Sequence, residues 1–282
     1  MSFKSYNILI AAANKLAKNY AKKFISTALV PIDYTRTKEI PAILDVSGIL
    51  NLKNKKLRIL DIGSPQILSL SLCLYSELWD VIYFNPFEIE LEDLRLKSSA
   101  LCLHNLDVRY GDITDLLSIP NIGQFDYIFS CSVFEHIHPE NGGDIIASKN
   151  VTKLLKPGGI FSFSVPYYKR AFNEYKNGDV YSMKSTTNEK TFFQKFYDED
   201  SLNHQIIEPT GLKILEKKYI GERYYFENNI HQRMAFLVGV GKRRLLLGRF
   251  FKNISDLFMK ESVDFTSLKK PYLAILALKK DL

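Results

Sequence analysis

The sequence predicts an α/β fold: a mostly parallel sheet with helices on both faces. Three observations carry that expectation. From Leu57 onward, short apolar runs of strand length alternate with helical stretches, the order a parallel sheet requires. The first run ends in Asp61-Ile62-Gly63-Ser64, a strand that breaks on a glycine. Further along, Leu154-Leu155-Lys156-Pro157-Gly158-Gly159-Ile160-Phe161 reads as a helix stopped by Pro-Gly-Gly and followed at once by another strand.

The elements follow in order. Ile8, Leu9, Ala12, Leu16, Tyr20 and Phe24 recur every three to four residues with lysines between them, which predicts a helix over 3–29 ended by Pro31. Asp33 or Thr35 caps a second helix, 35–50, with a break or kink expected at Pro41 and a stop near Gly48. Strands are predicted at 57–62, 79–84, 106–110, 125–130, 160–165, 212–219 and 272–278, seven in all. Helices are predicted at 66–78, 88–99, 141–155 and 198–208. Residues 166–197 form a polar and aromatic excursion, and 225–268 reads as mainly helical. The implied organisation is an N-terminal helical extension, 1–50, and one domain, 51–282, with insertions at 166–197 and 225–268.

Bulk properties narrow the function classes. The chain has 282 residues, 46% hydrophobic and 24% charged, which suits a globular protein with a sizeable core. Cys73, Cys102 and Cys131 stand far apart, with no CxxC pair, so neither a disulfide framework nor a structural zinc site is expected. No stretch reads as a signal peptide or a transmembrane helix, and a cytoplasmic location is the expectation. The net charge of +7 is uneven. Lys4, Lys15, Lys18, Lys22 and Lys23 have no acid among them in 1–30. Lys242, Arg243, Arg244, Arg249, Lys252 and Lys260 face only Asp256 in 234–260. The basic character belongs to two appendages, and the body between them is slightly acidic.

A glycine closing the first strand of an open α/β sheet lets a ligand approach the backbone at the edge where such sheets bind ligands. Three later segments accompany it: Val108-Arg109-Tyr110-Gly111-Asp112-Ile113, Gln124 to Ile137 with its Phe-Asp-Tyr-Ile strand and Glu135-His136 pair, and Leu154 to Phe163. In this order and spacing the chain resembles the class I S-adenosylmethionine (SAM) dependent methyltransferases, over residues 55–220 and the last strand. The resemblance implies a Rossmann-like, seven-stranded, mostly parallel sheet and SAM as cofactor. It places Asp61, Gly63 and Ser64 at the methionine half of SAM, and Asn85 where the family carries a ribose-binding acid. Asp112 falls at the adenine amino group with Ile113 beside the ring, and Ser130 and Cys131 lie against the cofactor. Asp126 matches a structural position. The family's loop reads Asp-x-Gly-x-Gly-x-Gly, and here Pro65 and Ile67 replace the second and third glycines.

Two roles stand open for Glu135 and His136. Either His136 is a general base or Glu135 is a substrate anchor; alternatively the pair starts a helix and holds neighbouring loops. The excursion at 166–197 interleaves Tyr167, Tyr168, Phe172, Tyr175, Tyr181, Phe192, Phe193, Phe196 and Tyr197 with lysines and Arg170, which suits an acceptor-binding lid or a packed satellite core. His104, His138, His204 and His231 lack ligand spacing, and no metal site is expected. The basic appendages cap the sheet or touch an anionic membrane surface at its inner face. The expected activity is methyl transfer to a small-molecule or saccharide acceptor, such as a lipid-linked or envelope glycan. A catalytically silent scaffold is the alternative, and an RNA methyltransferase ranks below it, since nucleic acid suits the aliphatic-rich basic helices poorly.

Overall fold

In the computed structural model, residues 3–20, 35–138, 142–178, 190–224 and 251–282 are described. An eight-stranded sheet runs through the molecule in the order β3-β2-β1-β4-β5-β10-β8-β9. Its parallel half comprises β1 (Leu57–Ile62), β2 (Trp79–Asn85), β3 (Leu106–Tyr110), β4 (Phe125–Cys131) and β5 (Leu155–Pro166). β10 (Lys270–Lys279) lies antiparallel between β5 and β8 (Lys213–Glu222), and β9 (Met259–Ser262) forms the far edge. The α/β class and the mostly parallel sheet agree with the sequence reading; the count is eight rather than seven. The extra strand is a four-residue edge too short to carry a periodicity.

Helices cover both faces. On one lie α1 (Phe3–Tyr20), α2 (Arg36–Ser47), α3 (Ile67–Tyr75) and α4 (Glu88–Ala100). Their contact with the sheet is a fully buried cluster that includes Leu9, Ile43, Leu68, Val81 and Ile275. On the other lie α5 (Gly143–Leu154) and a helical run from Glu199 to Thr210, over Leu60, Ile128, Phe161 and Leu276. Alternate residues of each strand feed the two cores, so central strands are apolar throughout. Each such side chain contributes about 1.5–3 kcal/mol on burial.

Several elements differ from expectation. α2 runs through Pro41 without a break and ends on Gly48 in the left-handed conformation, as a helix stop should. Ten of its twelve residues are buried, and this packing offsets the backbone hydrogen bond that proline removes. The Lys156-Pro157-Gly158-Gly159 turn lies inside β5, where the register against β4 jumps from Phe125↔Leu155 to Tyr127↔Ile160. The excursion forms an antiparallel hairpin, β6 (Phe172–Asn177) with β7 (Lys190–Phe196), apart from the main sheet. The end of the first predicted helix, the cap at Asp33, Tyr181 in the excursion, His231 and the basic residues from Lys242 to Arg249 lie outside the described residues.

Candidate functional site

A cavity of about 1170 Å³ opens at the carboxyl ends of β1, β2 and β4. This is above the roughly 300–1,000 Å³ of a site for one drug-sized ligand, which leaves room for a second molecule. Its lining includes Gly63, Ser64, Asn85, Asp112, Ile113 and His136 of the residues singled out in the sequence. Asp61, Ser130, Cys131 and Glu135 lie behind the wall, each at most 1% exposed.

The loop after β1 is built from within. Asp61 accepts from the Ser64 backbone N–H at 3.3 Å and from the Ser69 hydroxyl, folding the loop back on α3. Burial raises the Asp61 carboxyl to about 6 against the pull of those hydrogen bonds. The Ser64 hydroxyl accepts from the Cys131 N–H at 2.9 Å and pins the loop to β4. Gly63 sits at φ +59°, which favours glycine, and a Cβ there would meet Asn85 Nδ2 at 3.4 Å and Val133 at 3.6 Å. Pro65 precedes α3, and the loop closes without the second and third glycines. On the next wall Asp112 accepts from the Thr114 N–H and hydroxyl at 2.8 Å, and Ile113 is buried beside it. A backbone-lined turn after β1, and an acid and an apolar shelf after β3 with β2 between, fit a nucleoside carrying an amino-acid tail.

The opposite end is polar and tightly held. Arg36, at the start of α2, lines the cavity, pairs with Glu39 and donates to the Ser132 hydroxyl at 2.8 Å. Glu39 is fully buried, and its Oε1 accepts from Ser132 and Ser164, each at 2.5 Å. These bonds hold Ser132 at φ +52°, a conformation costing an L-residue about 1–2 kcal/mol.

His136 Nδ1 is 2.8 Å from the Phe193 carbonyl of β7, so Nδ1 carries the proton and the lone pair lies on Nε2. Burial lowers the His136 pKa below its ordinary 6.5, leaving the imidazole neutral at pH 7. Glu135 Oε1 is 3.9 Å from Nε2. Burial pushes the Glu135 carboxyl to about 8, the nearby Glu39 charge adding to the rise and Arg36 opposing it. Its Oε2, like the Ser130 hydroxyl, has no hydrogen-bond partner among the described residues. Glu135 and His136 form a single 3-10 turn, Phe134–His136, held by the hairpin. No described residue of the hairpin lines the cavity.

Arg36, Gln66, Glu90, Ser132 and His138 also line the cavity and were not singled out as site residues. Asp126 is structural: it accepts from the Arg58 N–H at 2.8 Å and from Lys156 at 2.9 Å, tying β1 to the Pro-Gly-Gly turn. No group of metal-ligating side chains occurs among the described residues.

Comparison with known proteins places this geometry. A family described as "Methyltransferase domain" matches residues 60–163. No curated protein matches the sequence. Among solved structures, coclaurine N-methyltransferase bound to N-methylheliamine and S-adenosylhomocysteine (SAH) is similar at 13% identity, covering 98% of this chain and 88% of that one, with a TM-score of 0.53. A SAM-dependent methyltransferase from Clostridium acetobutylicum is similar at 16% identity over 95% and 99%, with a TM-score of 0.53. The [4+2]-cyclase SpnF is similar at 14% identity over 99% and 96%, with a TM-score of 0.52. At such identities the likeness is one of fold, and a cyclase among the neighbours shows that the fold alone does not fix a reaction.

Proposed function

Proceeding from residues 60–163 as a methyltransferase domain of the SAM-dependent class, we propose that the chain methylates a small-molecule or saccharide acceptor, with His136 as the base. The cofactor, SAM, supplies a sulfonium methyl group for in-line transfer. Gly63, Ser64, Asp112 and Ile113 face the cofactor end of the cavity, and Arg36, Ser132, His136 and His138 bound the acceptor end.

The observation that carries the proposal is the His136 geometry. The Phe193 carbonyl fixes the tautomer, burial keeps the ring neutral, and the ring lines the cavity. Nε2 is then the atom that takes a proton from an acceptor hydroxyl or ammonium. Glu135, protonated at neutral pH and 3.9 Å from Nε2, places no second negative charge near the buried Glu39. Alignment of donor and acceptor lowers the rest of the barrier. Within the excursion, Tyr168, Phe172 and Tyr175 are exposed, and such faces suit stacking on a sugar ring.

The basic appendages enter the proposal as a peripheral contact with anionic lipid. The apolar face of α1 is buried in the core through Leu9, Ala12 and Leu16, so only its lysine-bearing face is offered to a surface. No described helix is long and apolar enough to cross a membrane.

The test is methyl transfer from labelled SAM into a panel of small-molecule and saccharide acceptors, with SAH binding measured by calorimetry. SAH binding with label transfer to an acceptor that His136→Gln slows is the expected result. Undiminished transfer by that variant would remove His136 from the mechanism.

A further inference from the structure

The two departures from the family pattern, Pro65 in the loop and Asn85 at the end of β2, both line the cavity. Asn85 is only 8% exposed and its amide is turned inward. Oδ1 accepts from the Phe87 N–H at 2.9 Å, and Nδ2 donates to the Tyr83 hydroxyl at 3.2 Å. One end of the amide serves the turn between β2 and α4, and the other is engaged by a side chain of β2 itself. A ribose offers two adjacent hydroxyl donors, and an amide oxygen already engaged by a backbone N–H has one lone pair left for them.

Gln66, the residue after Pro65, is 9% exposed. Its Nε2 donates to both the backbone carbonyl and the Oε2 of Glu90, each at 3.0 Å. Its Oε1 accepts from Lys97 at 2.7 Å, which fixes the orientation of the amide. Glu90 is exposed in the first turn of α4, and it lines the cavity beside Asn85 and Gln66. The altered loop thus places a carboxylate next to the strand end that has lost one. A carboxylate has about four lone-pair sites, so one bond from Gln66 leaves acceptor capacity for a diol.

We propose that Glu90, positioned by Gln66, receives the ribose hydroxyls of the cofactor, the task that the strand-end position at Asn85 gives up in this chain. This rests on SAM as cofactor. The ligand class is a ribonucleoside with a free vicinal diol.

Calorimetry on the full chain tests it, with SAH and its 2′-deoxy analogue titrated into the wild type, Glu90→Gln, Asn85→Ala and Glu92→Gln. Glu92 is an exposed acid of α4 outside the cavity lining and controls for loss of charge. The wild type should prefer SAH to the deoxy analogue by about 10-fold or more. Glu90→Gln should lose about 10- to 100-fold in SAH affinity, together with most of that preference, as expected for a hydrogen bond to a charged group. Glu92→Gln should bind as the wild type does. Glu90→Gln is nearly isosteric at an exposed position, and an unchanged melting temperature separates lost contact from lost fold. Unaltered SAH affinity and preference in Glu90→Gln would overturn the proposal and leave the cofactor standing. So would a preference lost in Asn85→Ala but kept in Glu90→Gln. A wild type that binds no SAH would overturn the cofactor and the proposal together.

Discussion

Replacing Glu135 by glutamine should shift stability in the variant's favour progressively as pH rises. Glu135 is 1% exposed, its Oε2 has no partner among the described residues, and burial holds its carboxyl near 8 against an ordinary 4.5. The folded chain therefore binds this proton more tightly than the unfolded chain does. A carboxyl raised in this way stabilises nothing above its folded pKa; its stability is complete below about 4.5 and is lost as pH rises from there to about 8. At roughly 1.4 kcal/mol per pH unit, keeping the carboxylate buried costs about 1 kcal/mol at pH 5, about 3 at pH 7 and about 4 at pH 8. Glutamine does not titrate. Its amide leaves one polar group unsatisfied at about 1–3 kcal/mol, but that cost is independent of pH. The difference in unfolding free energy between variant and wild type should thus rise by about 3 kcal/mol from pH 5 to pH 8, read by urea titration at several pH values. In melting temperature this is about 5–10 °C. Asp61, raised to about 6, titrates in both proteins and cancels from the difference. A difference that stays flat across this range would mean that Glu135 is ionised in the fold, and the reasoning about its role behind His136 would fall with it.

The remaining predictions touch other parts of the site. His136→Gln should lower kcat by about 10²- to 10⁴-fold for an acceptor that must lose a proton. The wild-type rate should rise with pH through a value below 6.5, and the variant should lack that limb in a pH–rate profile. Arg36→Met should cost about 3–5 kcal/mol in urea unfolding, because it strands the fully buried Glu39, and Arg36→Met with Glu39→Gln should recover part of that. Gly63→Ala should weaken SAH binding by about 10-fold or more in calorimetry while the chain still folds, because φ +59° disfavours an L-residue and the new methyl presses on Asn85. The full chain should sediment with anionic but not neutral lipid vesicles at low salt and release above about 0.2 M; equal behaviour with both lipids would remove the membrane contact.

Legibility in the sequence followed burial. β1, β2, β4 and the second half of β5 are largely buried on both faces, so their apolar runs stand out, and β1 to β5 were each placed within a residue or two apart from the start of β5. β6, Phe-Asn-Glu-Tyr-Lys-Asn, is almost wholly exposed and has neither an apolar run nor a clean alternation. Its pairing with β7 comes from aromatic contacts such as Phe172 stacked on Phe196 at 4.4 Å, which no local pattern announces. At the site, Gly63, Asp112 and His136 were legible because they end strands or follow them directly. Arg36 was not, since it comes from α2 and reaches the cavity only by way of packing against Cys131 and Ser132. Glu39 defeats pattern reading outright: a charged residue on a helix is expected in water, yet here it is fully buried. The signal for Gln66 and Glu90 was present but indirect, namely the loss of a glycine and of an acid at two positions that turn out to be neighbours.

The Glu39 carboxylate gathers Arg36 from its own helix, Ser132 from the end of β4 and Ser164 from β5. Its helix lies wholly ahead of residues 60–163 in the chain. The unit that matches a family of enzymes is therefore not a portable one. Cut out at those bounds, it would lose the counter-charge of its acceptor end and bare the sheet face that Ile40, Ile43 and Leu44 cover. On the proposed assignment of the two ends of the cavity, a change of acceptor has to be written in three distant stretches of chain at once, and grafting the loop and the strands into a host without α2 should transfer cofactor binding while leaving acceptor recognition behind.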